Sequence, residues 1–408
     1  MDRSPKAFYH DRMEDSNTFE QLIKTNGHYV DKTLLIKELI DRNSGVYLIT
    51  RPDGFGKSMN ISMLQTFLEI SNEDKTPLFS DKLIWQAGAR YTSLLGQFPV
   101  IRIDLRNVHG NSWKECRRQI ESLIQSEYRR HHELYDNSKL NAFEKNFFNK
   151  ILIADENADW SISLKILSDM LYQVHGMKCI VLIDSYDTPI EAAYAGGFHD
   201  ECSYFLNMFF SNVLKDNPSR ELGYITGVFR FTNESIFSGL NNVKAYSQLD
   251  EEFSSCFGYT EDEVAAMASH YGKTFKIEEI RKLYGGYKFG NLEIYNPLFI
   301  NSYLASDCIS HTSVNKVIRK LLGNSADGIK QKLQILIEGE SIKEIVNTNI
   351  AYPDMHKNPN AIFSYLLMTG YLTVSKKIRK GITGDIVDLA IPNKAIMDAF
   401  MSDTMESL

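Results

Sequence analysis

Four residues within a span of five carry the strongest chemical signal in this chain: Gly54, Gly56, Lys57 and Ser58, in the stretch RPDGFGKSMN (51–60). Consecutive backbone N–H groups at the start of a helix form a cradle for one anion, and glycine lets that backbone come close. A lysine at this position reaches the terminal phosphates of a nucleotide, and the adjoining serine hydroxyl helps hold Mg²⁺. The complete phosphate-loop pattern is G-x-x-x-x-G-K-[ST]. Its first glycine falls where this chain has Arg51, so the motif is a variant. The competing description is a helix start with a serine near its cap.

A second stretch, KCIVLIDSYDTPIEAA (178–193), is an apolar run closed by Asp184. An acid at the carboxyl end of a buried strand is where a phosphate-loop protein holds Mg²⁺, so Ser58 and Asp184 form the expected metal pair. In ATPases with an added catalytic strand the next residue is a glutamate that polarises the attacking water. Here it is Ser185, whose neutral hydroxyl cannot serve as a carboxylate base. Strand alternation would put Asp187 on the face of Ser185 and offer it as a substitute. A third stretch, LGYITGVFRFTNESIFSGLNN (222–242), reads as a strand beside the first, with Arg230 near its tip as a sensor of the terminal phosphate. Ser185, Asp187 and Arg230 are therefore the catalytic candidates.

Strands are expected at 46–51, 98–105, 179–184 and 222–230, each a short apolar run suited to burial on both faces. Helical stretches at 57–70, 112–134, 138–154, 160–175 and 200–215 alternate with them, which predicts an α/β unit around a parallel sheet. Beyond about residue 255 helical patterns dominate, at 260–270, 276–284, 297–305, 313–323, 328–338 and 359–368. A strand-like pair around Gly381 and Gly384, followed by a helix over 393–403, closes the chain as a winged-helix-like unit. The divisions expected are an N-terminal extension (1–18), a phosphate-loop domain (19–255), a helical domain (256–345) and the winged-helix-like unit (346–408).

A net charge of −7 gives no general attraction to nucleic acid or anionic membrane. Five widely spaced cysteines without a C-x-x-C pair read as reduced thiols. The polar N-terminus lacks a signal-peptide core, and no apolar run approaches the roughly 18 residues of a membrane span. The expected location is cytoplasmic. His131, His132 and Glu133 point in different directions around a helix and read as a solvated helix end. Arg117, Arg118, Arg129 and Arg130 read as a solvated face. Lys376, Lys377, Arg379 and Lys380 in the C-terminal hairpin make nucleic acid a minor candidate partner.

Taken together, YVDKTLLIKELI, YLITRPDGFGKSMNISML, VLIDSYDTPI, FGYTEDEV, YGGYKFGNLEIYNPLFINSYL and LLMTGYLTV resemble, in order, the AAA-ATPase-like proteins often fused to a C-terminal PD-(D/E)XK nuclease-like domain, a domain not expected within these 408 residues. The resemblance implies a P-loop NTPase-like parallel sheet flanked by helices, then a mainly helical region, with ATP and Mg²⁺ as ligands. It also accounts for Arg51, because an Arg-Pro opening is usual in that family. Arg51, Pro52, Gly54, Phe55, Gly56, Lys57, Ser58 and Met59 form the implied nucleotide-binding set. Departures collect at charged positions. Asp53-Gly54 stands where the family has paired arginines, Ser185 where it has glutamate, and Gly285 where it has aspartate. Each lost or inverted charge a few Å from a polyphosphate is worth on the order of a few kcal/mol before screening. The expected function is an ATP-binding protein with a degenerate catalytic site, working as a nucleotide-dependent switch with a protein partner or as a homo-oligomer. Two alternatives stand beside it: an interaction scaffold that binds no nucleotide, and an active ATPase using Asp187 or a group supplied by a partner.

Overall fold

The computed structural model describes residues 18–230, 242–306, 327–349, 361–379, 381 and 384–405. The first 17 residues, the polar loop 231–241 and the expected helix at 313–323 lie outside the described residues. So does Lys380, as do the side chains of Lys377 and Arg379.

Five parallel strands form the central sheet: β1 (Val46–Thr50), β2 (Val100–Asp104), β3 (Cys179–Asp184), β4 (Arg220–Gly227) and β5 (Val243–Tyr246). Their spatial order is β2-β3-β4-β1-β5, so β4 is inserted between the strand that feeds the phosphate loop and the strand that ends in Asp184. Every residue of β1 and β3 is buried, as the unbroken apolar runs of a sheet covered on both faces require. The helices Lys57–Leu68, Trp113–Arg130, Ser163–His175 and His199–Leu214 alternate with the strands and cover the sheet. Strand β5 was not anticipated. It is four residues long, none fully buried, and only pairing with β1 makes it a strand.

Beyond the sheet, a short hairpin of β6 (Tyr287–Phe289) and β7 (Leu292–Ile294) precedes the helix Pro297–Ser306. A three-stranded antiparallel sheet follows in the order β8-β10-β9, built from β8 (Ile342–Val346), β9 (Thr373–Arg379) and β10 (Asp385–Ala390). The helix Ala361–Met368, buried along its whole length, precedes β9, and the helix Lys394–Met405 follows β10. These elements are packed onto the phosphate-loop end of the first sheet. Gly370 sits so close to Pro52 that a Cβ there would meet the ring at 3.0 Å. Tyr365 stacks on Phe229 at 4.9 Å, and Gln248 donates to the Leu367 carbonyl at 2.6 Å.

The helix end at 129–133 is solvated at Arg129, His132 and Glu133, as are Arg117 and Arg118, but not at Arg130 and His131. Arg130 is ion-paired with Glu69 and Glu127, and His131 is buried with its imidazole nitrogens at Glu133 and the Val100 carbonyl. Burial opposes the charge on Glu127, but the Arg130 and His131 hydrogen bonds outweigh it and pull the carboxyl down to about 2. The helix sequence hid this because its partners, Glu69 and the start of β2, are distant in the chain. Among the described residues no helix is long and apolar enough to cross a membrane, and no group of three or more His, Cys, Asp and Glu side chains is gathered as a metal site.

Candidate phosphate-loop site

Residues Arg51–Gly56 join β1 to the helix Lys57–Leu68, whose N-cap is Gly56. Gly54 and Gly56 both have left-handed backbone, φ 83° and 86°, a conformation L side chains adopt only at a cost. Gly54 has a second reason to be glycine, since a Cβ would meet the Asn296 amide at 2.6 Å. That amide donates to the Asp53 carbonyl at 3.1 Å and accepts from the Leu298 N–H, tying the loop to the helix Pro297–Ser306. The Phe55 ring is buried against Tyr287 and Phe289 of the β6–β7 hairpin. The YGGYKFG stretch therefore acts at a distance of more than two hundred residues as the seat of the loop.

Lys57 is 7% exposed, and its ammonium donates to the carbonyls of Arg51 (2.8 Å) and Pro52 (3.0 Å) and to Asp53 Oδ1 (2.8 Å). The loop thus closes on its own lysine. The Lys57 charge holds the Asp53 carboxyl below the usual carboxylate range. Ser58 is half-buried at the second position of the helix, and Met59 packs partly against the core.

Arg51 does not offer its charge to this loop. Its guanidinium is fully buried between the Phe257 and Phe289 rings, with Cζ 5.0 and 5.1 Å from their centroids. It donates to the carbonyls of Thr50, Tyr246 and Glu252, while its Nε is buried without a partner. Burial lowers its pKa to about 10 against the pull of Asp250. Arg51 braces β1 and the segment after β5 from behind, and only its backbone carbonyl reaches Lys57.

Asp184 is fully buried at the end of β3. Its Oδ1 accepts from Thr226 Oγ1 at 2.7 Å and from Ser185 Oγ at 3.4 Å, and its Oδ2 accepts from Arg106 at 3.0 Å. The bridge to Arg106 was not expected, although β2 ends in an acid, Asp104, just as β3 ends in Asp184. Asp104 and Asp184 are register partners on adjacent strands. Arg106, two residues past Asp104, binds that carboxylate through its backbone N–H, its Nε and its NH2 group.

The expected pairing of Ser185 with Asp187 on one strand face does not occur. Strand β3 ends at Asp184, and Ser185 has left-handed backbone at φ 53°, so alternation stops there. Asp187 instead stands at the N-cap position of the helix Thr188–Gly196, with its side chain turned away from that helix. Its Oδ2 accepts from the N–H groups of Val228 (2.6 Å) and Phe229 (2.9 Å). Burial raises its carboxyl to about 6 in spite of those two donors and of Lys57. Tyr186 adds a bond from its hydroxyl to the Phe229 carbonyl. Arg230 lies three residues beyond the end of β4, partly buried, with its Nε buried and unpaired; burial lowers its pKa while Asp250 opposes the change.

A parallel sheet with a strand inserted between the loop strand and the acid-bearing strand, and a glycine-capped loop helix carrying Lys57, defines a P-loop NTPase-like protein. A family model described as a predicted AAA-ATPase matches residues 16–237, more than half of the chain, and the chain belongs to that family. It is also 27% identical over 278 residues to a protein of Azotobacter chroococcum mcd 1 described as an uncharacterized protein in the vnfD 5' region. That match takes in 66% of this chain and 47% of the relative, so the chain spans about half of the relative's length. Among solved structures, the Drosophila ORC bound to AT-rich DNA and Cdc6 is similar over 99% of both chains at 7% identity, with a TM-score of 0.25. That likeness is too slight to inform fold or function.

Proposed function

We propose that this chain binds ATP with Mg²⁺ at the loop 51–59 and works as a slow or non-hydrolysing nucleotide switch. The observation that carries the proposal is the state of Lys57: a buried ammonium at a glycine-capped helix start, held only by two backbone carbonyls and an exposed carboxylate. A phosphate entering the cradle would exchange for those acceptors and meet the helix N-terminus. Ser58 and Asp184 supply the hard oxygen donors that Mg²⁺ requires, and Asp184 Oδ2 already faces a cationic group. Bound there, the ion would neutralise phosphate charge. Gly54 and Gly56 would bring the backbone to the phosphates, with Pro52, Phe55 and Met59 shaping the loop.

Slow turnover follows from the acids. Ser185 cannot take a proton as a carboxylate would, and Asp187 is engaged by two backbone donors. Arg230 remains the candidate sensor of the terminal phosphate. The switch reading draws support from the packing of the loop and the β4 end on the C-terminal elements, through Pro52–Gly370 and Phe229–Tyr365. A change of loop conformation on binding would be felt there by the unit read as winged-helix-like, and through it by a protein partner.

Titration of the purified chain with fluorescent ATP and Mg²⁺, with Lys57→Ala as control, tests the proposal. Saturable binding lost in the variant is expected. A folded wild type that binds no ATP at millimolar concentration would overturn it. The Lys57–Asp53 ion pair favours the scaffold alternative in that event, because it satisfies the lysine without a ligand.

A further inference from the structure

We propose that Arg106 is a resident counter-cation at the metal position, one that keeps Asp184 from taking up a divalent cation until a nucleotide brings it. The inference rests on the assignment of Asp184 as the metal carboxylate made above. Three observations support it. First, the carboxylates of Asp104 and Asp184 project from adjacent register positions at the carboxyl ends of parallel strands, which stand only about 4.8 Å apart. Two carboxylates so placed, one of them fully buried, stay ionised together only with a cation between them.

Second, Arg106 fills that role completely. Its NH2 group lies 2.9 Å from Asp104 Oδ2 and 3.0 Å from Asp184 Oδ2, and its Nε lies 3.1 Å from Asp104 Oδ1. With Thr226 and Ser185 on Asp184 Oδ1, neither oxygen of the buried acid lacks a donor. A bare divalent cation must therefore displace a charge-assisted bond to reach Asp184 directly.

Third, the guanidinium is 41% exposed whereas Asp184 is not exposed at all. Arg106 can swing toward solvent, or toward an incoming phosphate, without disturbing the core. Its backbone anchor on Asp104 stays in place through the N–H bond at 3.1 Å. A bare Mg²⁺ would have to release the guanidinium from both carboxylates with no acceptor offered in return, whereas an incoming triphosphate would give Arg106 an anionic acceptor in exchange. Cation uptake is thereby coupled to nucleotide, and the apo protein is protected from binding divalent metal on its own.

The test is Mn²⁺ binding to the full chain without nucleotide, read as loss of the free-ion electron paramagnetic resonance signal. Wild type is expected to bind Mn²⁺ weakly. Arg106→Gln, which keeps a hydrogen-bond donor and removes the charge, and Arg106→Ala are expected to gain at least about ten-fold. A neighbouring cation alters a carboxylate's affinity for a competing proton by a comparable factor. Adding Asp184→Asn to either variant should abolish the gain. Unchanged Mn²⁺ affinity in folded Arg106→Gln, a gain that survives Asp184→Asn, or tight Mn²⁺ binding by wild type without nucleotide would each overturn the proposal. The wild-type arm stands even if both variants fail to fold. Because ATP is absent throughout, failure here leaves the phosphate loop untouched, and failure of ATP binding leaves this result standing.

Discussion

Replacing Asp53 is the sharpest test of the electrostatics at the loop. Its carboxylate lies 2.8 Å from the Lys57 ammonium, so a phosphate accepted by that lysine would come within roughly 5 Å of the carboxylate. Two unit charges at that distance repel by about 1 kcal/mol in a medium like water and by about 3 kcal/mol at an effective dielectric of 20. Asp53 is exposed, so the lower figure governs, and releasing Lys57 from a screened ion pair adds at most about 1 kcal/mol. Asp53→Asn should therefore tighten ATP by about 1–2 kcal/mol, roughly a five- to thirty-fold fall in Kd. Asp53→Arg inverts the charge and should gain about another ten-fold. Fluorescent-ATP titrations at low and high salt are the assay, and the advantage should shrink as salt rises. Equal or weaker binding by a folded Asp53→Asn protein, with Lys57→Ala still abolishing the signal, would refute the claim that charge limits this site.

Ser185→Glu should raise ATP turnover at least about ten-fold if the missing base limits the rate; a phosphate-release assay with unchanged rates and intact ATP binding would assign the defect elsewhere. Asp187 makes a pH prediction. Its folded pKa of about 6 lies above the unfolded value near 3.9, so the folded state holds more protons between them and stability falls as pH rises through that window. The loss amounts to up to roughly 3 kcal/mol. Urea unfolding of wild type and Asp187→Asn between pH 4 and 7 should show this slope in wild type only; parallel curves would contradict it. Gly54→Ala places a methyl 2.6 Å from Asn296 at a positive φ, so it should lower Tm and weaken ATP by about five-fold or more, from about 1–3 kcal/mol of backbone strain. Asn296→Gly should recover part of the loss, as scanning calorimetry and titration would show.

What the sequence by itself determined is what neighbouring residues control. The apolar runs of β1 and β3, the helix after Gly56 and the chemistry available at Lys57, Ser58 and Asp184 all follow from composition and spacing over a dozen residues. The breaks in charge at Asp53 and Ser185 were equally plain, since they are substitutions within a local pattern. Only the tertiary structure decided where the other charges went. Arg51 is drawn behind the loop because Phe257, Phe289 and three distant carbonyls offer it a buried seat. Asp187 turns to the end of β4 because the strand stops at Asp184 and the N–H groups of Val228 and Phe229 lie within reach of its carboxylate. Arg106 meets Asp184 only because β2 and β3 pair in a register that no local pattern encodes. Strand β5 exists only as a partner of β1. Propensity and spacing act over neighbouring residues, whereas the fate of a charged side chain depends on which distant backbone and which opposite charge the folded chain brings within about 3 Å.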